Sequence, residues 1–219
     1  MNIQENLDTY GSGGKNSSGL KPTERYASFD YCYNYFQSFR EQNNISGLAS
    51  PEHIQTSCIQ IAFYLASWGM LRASSFLLQK SAKHYEPLIQ GIVQFSPRIW
   101  DIDVDSYTEE NIETLLECER MVVQTVGQER GITITLVTKI MLGVFGNVPA
   151  FDSFFKRGFG THTFGRGSLR KIALFYQQNK EIIDTNKIYT LDFTTAQPTH
   201  RMYPKAKLID MACFIEGDR

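Results

Sequence analysis

The chain has little cysteine. It holds Cys32, Cys58, Cys118 and Cys213 in 219 residues, and no two lie close together. Without a CxxC pair, the close-spaced ligand sets of structural zinc sites and iron–sulfur loops are excluded. Cys32, Cys58 and Cys118 each sit among apolar neighbours at helical spacing, so they are expected as buried free thiols. Charge of one sign is missing too. A net charge of −1 gives no global attraction to nucleic acid or to a membrane, so any polyanion contact must come from a local patch. There is no long apolar run and no apolar signal segment, which argues for a cytoplasmic protein that makes no membrane contact. Strand signals are sparse, with residues 188–193 the one short extended candidate. Aromatics are plentiful, with 15 Phe and 11 Tyr, and suit a tightly packed helical interior.

The pattern predicts an all-α fold, a compact bundle of about nine helices with little or no strand. Residues 1–22 are polar and rich in Gly, Ser and Asn, and read as a flexible tail. Residues 23–219 form one helical domain or two packed helical halves, with 108–181 carrying the most informative stretch. GSGGKNSSG in the tail lacks the preceding strand and the Ser or Thr after Lys15 that a phosphate loop needs. Tyr26, Phe29, Tyr33 and Phe36 fall on one helical face. Ser50-Pro51-Glu52 is a helix start, and Trp68-Gly69-Met70 a break. Further helices are expected over 71–84, from Pro87 to Phe95, over 108–126, from a Ser168 cap to Lys180, and from Pro204 to Ile215.

Asp101, Asp103 and Asp105 alternate as in a calcium loop. The glycine and glutamate that such a loop needs at its sixth and twelfth positions are Ser106 and Ile112, so no metal and no cofactor is expected. The acidic run 101–119 contains no basic residue. The run from Lys156 to Lys180 contains no acidic one, and it offers Lys156, Arg157, Arg166, Arg170 and Lys171 to phosphates.

Between these runs lies GITITLVTKIMLGVFGNVPAFDSFFKRGF, residues 131–159. It resembles the helix-hairpin-helix DNA glycosylase superfamily, whose hairpin reads L-P-G-V-G-x-K-T-A, followed by an apolar helix, F-G-x-P and V-D-T. Gly131-Ile132 matches the first Gly-Val. Residues 137–142 match the helix, Phe145-Gly146 and Pro149 the F-G-x-P, and Phe151-Asp152-Ser153 the V-D-T, with the loop before the aspartate one residue shorter. The resemblance implies a glycosylase-like helical fold that binds DNA or RNA. In it the turn 131–135, with Gly131, Thr133 and Thr135, approaches a phosphate beside Lys139, and Asp152 is the catalytic acid residue.

Two departures shape the chemistry. The second hairpin glycine falls on Thr133, where a β-branched side chain makes left-handed geometry costly. The amine nucleophile of the bifunctional members falls on Thr135, which forms no Schiff base, so N-glycosidic hydrolysis without lyase activity is what remains. Trp68, ahead of a basic stretch, is a candidate for stacking on an extruded base. Each of these residues has a structural reading beside the functional one. Asp152 also fits a helix cap, Lys139 a solvated outer face, and Trp68 the core. The alternative function is a catalytically inactive regulatory or defence module that docks a protein partner through the acidic 101–119 face or the basic 156–171 face.

Overall fold

The computed structural model describes residues 1–13, 18–73, 75–127 and 132–219. Its axis is helix α6 (Ile134–Phe145), in which all ten residues from Leu136 to Phe145 are buried. A helix apolar on every side must be enclosed by others. The neighbours that enclose α6 are α2 (Ala27–Glu41), α3 (Ile54–Ser67) and α5 (Glu109–Val126). Thr133 starts α6 by accepting the Leu136 N–H at 3.2 Å. Gly146 ends it in the left-handed region at φ 70°, with the Pro204 ring pressed where a side chain would stand.

The mostly helical expectation holds: ten α-helices and one two-stranded sheet occur among the described residues. The sheet pairs β1 (Tyr189–Leu191) with β2 (Pro198–Met202) antiparallel, with a register irregularity between Tyr189 and Leu191. The remaining helices are α4 (Glu86–Gln94), α7 (Ser153–Phe159), α8 (Arg166–Gln178), α9 (Lys180–Thr185) and α10 (Lys205–Asp218). No helix among the described residues is long and apolar enough to cross a membrane.

Three local expectations are corrected. The supposed tail 1–22 contains α1 (Ile3–Ser12), capped by Asn2, with Ile3, Leu7 and Tyr10 buried. Those three residues lie at helical spacing in a segment whose polar composition masks them. Asn6 fixes α1 to α10 by donating to Ala212 O and Glu216, both at 2.9 Å. Residues 14–17, including Lys15, lie outside the described residues. The helix expected over 71–84 is instead two short 3-10 turns, Phe76–Gln79 and Ala82–Tyr85, because Lys80 and Ser81 are extended between them. Ser168 is not the cap of α8. Gly165 holds that position, and the Ser168 hydroxyl accepts the Gly165 N–H at 2.9 Å from inside the first turn.

Two carboxylates, Asp30 buried and Asp103 half-buried, tie the C-terminal segments to the bundle. Asp30 on α2 accepts the Tyr203 hydroxyl at 2.5 Å and the Leu191 N–H at 2.8 Å. Asp103 caps α10, accepting the N–H groups of Lys205 at 2.7 Å and Ala206 at 2.9 Å. Burial raises Asp30 to about 7 and Asp103 to about 6, against the hydrogen bonds they accept. A raised carboxyl binds its proton more tightly in the folded chain than in the unfolded one. Stability is therefore greatest below the ordinary carboxylate range and falls as pH rises towards 6–7. The steepest slope is roughly 1.4 kcal/mol per pH unit for each group. Urea denaturation at pH 5 and pH 7.5 is expected to give the higher midpoint at pH 5, with Asp30→Asn shrinking the difference.

Candidate functional site: two lysine–aspartate pairs around Trp68

Lys139 is the only charged residue in α6, and it points inward. It is 4% exposed, and its Nζ lies 3.2 Å from Asp152 Oδ2 and 4.9 Å from the centre of the Trp68 ring. The outward, phosphate-facing position expected for Lys139 is thus corrected: a helix enclosed on all sides has no outer face. Asp152 is the N-cap of α7 and does two jobs. Oδ1 accepts the Phe155 N–H at 2.9 Å while Oδ2 holds the lysine. Its side chain keeps 16% exposure, so it is the charged group of this pair that solvent reaches.

The loop before Asp152 is fixed residue by residue. The Thr135 hydroxyl donates to Phe151 O at 2.7 Å, the Phe151 N–H donates to the Thr138 hydroxyl at 2.8 Å, and the Ala150 N–H donates to Asp210 Oδ1 at 2.9 Å. The Thr135 hydroxyl is therefore spent within the protein, whereas Thr133 is exposed and its hydroxyl oxygen caps α6. Gly131, the first glycine of the hairpin resemblance, lies outside the described residues.

Asp210 belongs to a second pair on α10. Lys207 Nζ lies 3.1 Å from Asp210 Oδ2 and 3.2 Å from the Tyr10 hydroxyl, and it sits over the rings of Tyr10, Phe29 and Trp68 at 5.1, 4.9 and 5.3 Å. Burial raises the Asp210 carboxyl. The Lys207 and Lys139 cations oppose that rise, and the Asp152 charge adds to it, so the two pairs feel one another.

The rings form a stack. Tyr10 lies on Tyr26 at 4.2 Å and 16°, Tyr26 on Trp68 at 5.4 Å and 5°, and Phe214 meets all three edge-on. Trp68 is half-buried, and its indole N–H finds no acceptor among the described residues. At the surface, the exposed Arg25 guanidinium lies over both Tyr26 and Trp68, at 5.3 and 5.6 Å from the ring centres. Gly69, next to Trp68, turns at φ 73° and packs against the exposed Arg72.

Two charged pairs packed together below the surface are a poor device for stability. Desolvation of buried ions offsets most of their attraction, and apolar residues of equal volume do as well or better. Such clusters concentrate where charge is put to use.

The basic run fares differently. Arg170 is bonded through two nitrogens to Glu109, both at 2.7 Å, and Arg166 pairs with Glu113. The acidic and basic runs therefore face one another within one molecule, and Arg166 and Arg170 are ion-pair partners of Glu113 and Glu109 on the surface. Arg157 donates to Gly217 O at 3.0 and 2.7 Å and lies over Phe154. The Lys156 and Lys171 ammonium groups have no ion-pair partner among the described residues.

Sequence reasoning missed Lys207, Asp210 and Arg25. A signal for the first two was present: a lysine and an aspartate three apart inside the apolar run AKLIDMACFI. No protein-family model, curated protein or solved structure gives a significant match to this chain.

Proposed function

We propose that the chain binds nucleic acid and hydrolyses an N-glycosidic bond, with Asp152 as the acidic residue and without a covalent amine intermediate at position 135. The observation that carries this reading is the state of Asp152. It is a carboxylate held by a helix start and by a buried lysine, partly open to solvent, beside the Trp68–Tyr26 stack. As the bond from C1′ to the base nitrogen breaks, its electron pair leaves with the base and positive charge grows on the sugar. A fixed carboxylate in a water-poor site stabilises that charge. Water then bonds to C1′, one of its protons passes to Asp152, and the departing base nitrogen is protonated from solvent. Lys139 holds the carboxylate in orientation through its 3.2 Å contact with Oδ2. Thr135 offers no amine, and its hydroxyl is committed to Phe151 O.

The test is base release from labelled oligonucleotides, each carrying one altered base, by wild type and Asp152→Asn. Asparagine can keep the cap but not the charge. Release is expected to fall at least 100-fold, within the range for loss of a charged or proton-transferring group, while oligonucleotide binding persists. Equal release by both proteins would overturn the assignment of Asp152. The absence of any nucleic-acid binding at low salt would turn the search towards protein partners.

A further inference from the structure

We propose that the site takes a single unstacked nucleotide with its adjacent phosphates, free or within a short single strand, and not a continuous duplex. This rests on the reading above and narrows its substrate. A duplex reader needs a row of available cations, because each phosphate contact releases counterions and supplies affinity. Here that row is spent. Arg98, Arg120, Arg166, Arg170 and Arg201 are each paired with a glutamate of the same chain.

The unpaired cations near the aromatic stack are few among the described residues. Arg25 lies on the rings, Arg72 lies against Gly69, and Lys156 stands one helical turn after Asp152. Three phosphate contacts cannot repay the unpairing and unstacking that a duplex base must undergo to bring its sugar to a carboxylate set below the surface. A single strand has no such debt, and every base has a flat face for an aromatic platform.

The platform also shows where the base sits. The exposed Arg25 guanidinium, itself planar, rests over Tyr26 and Trp68. An incoming base takes that position, and the displaced Arg25 pairs with the phosphate beside it.

The experiment is fluorescence anisotropy of labelled oligothymidylates of three, six and twenty nucleotides and of a twenty-base-pair duplex, with thymidine monophosphate as competitor, at several salt concentrations. Affinity is expected to level off beyond about three nucleotides, with a log–log salt slope near −2 for about three contacts on a single strand. The duplex is expected to bind at least tenfold more weakly. An Arg25→Ala/Arg72→Ala double variant is expected to lose at least tenfold, and because both side chains are exposed its melting temperature should match wild type. Arg166→Ala/Arg170→Ala is expected to stay within twofold. Tighter binding to duplex, affinity that climbs steadily to twenty nucleotides, a slope steeper than about −5, or no binding to any of these ligands would overturn the proposal. Single-strand binding without base release by wild type leaves this inference standing and sinks the hydrolase reading. Base release from duplex alone does the reverse.

Discussion

Asp210→Ala is expected to lower stability by roughly 3–5 kcal/mol, the cost of leaving a buried charge without its partner. The variant strands Lys207, which is 2% exposed, and removes the acceptor that holds the Ala150 N–H at 2.9 Å. Two residues further on stands Asp152, so the damage spreads from stability to the site. The controls separate charge from hydrogen bonding. Asp210→Asn retains an acceptor for Ala150 and is expected to cost less than alanine. Lys207→Met combined with Asp210→Asn removes both charges and is expected to cost less than the sum of the single changes, because neither partner is left alone. Urea denaturation of the four variants checks this. Additive costs would mean that the pair does not act as a unit.

Gly158→Ala is expected to be damaging for a different reason. Helices α7 and α10 touch backbone to backbone. A Cβ on Gly158 would stand 2.0 Å from Cys213 O, and one on Gly217 would stand 2.0 Å from Phe154 O. Backbone cannot swing aside, so the helices must part, and overpacking of this kind costs about 1–3 kcal/mol or more. For a chain of this size each kilocalorie is worth about 2–4 °C in Tm. Parting α7 from α10 also parts Asp152 from Asp210 and Lys207, so the variant is expected to lose nucleotide binding at temperatures where it remains folded. Gly167→Ala on α8 is the contrast. Nothing lies within 4 Å of its added Cβ, and alanine favours a helix by about 0.5–1 kcal/mol. Its Tm is expected to rise. If both glycine variants behave alike, close helix contact is not what matters at Gly158.

The sequence made the helical architecture legible because apolar spacing is a local signal. The end of α5 at Val126, the break at Gly146 and the start of α7 at Asp152 follow from residues within a turn or two of each boundary. Thr108 and Thr133 cap their helices as such residues do. The same locality explains the failures. Composition hid α1, since its burial against α10 is a contact between chain ends. Helical propensity over 71–84 gave way to extended residues at 80 and 81.

Asp152 was legible by its place at a helix start, and its cap bond to Phe155 follows from that place alone. Its second bond, to Lys139, does not. Thirteen residues separate the two, and only the enclosure of α6 on all sides turns that lysine inward. Arg166 and Arg170 show the converse. Their charges were plain in the sequence, but Glu109 and Glu113, more than fifty residues earlier, decide that they are already paired. By itself the sequence determined most of the helical segments, though not α1 or the break within 71–84, and that the charges lie in an acidic run and a basic run. Only the tertiary structure decided which charges neutralise one another and which meet around Trp68. Helix formation is set by neighbours along the chain, whereas the partner and the burial of a charge are set by whatever the fold packs against it.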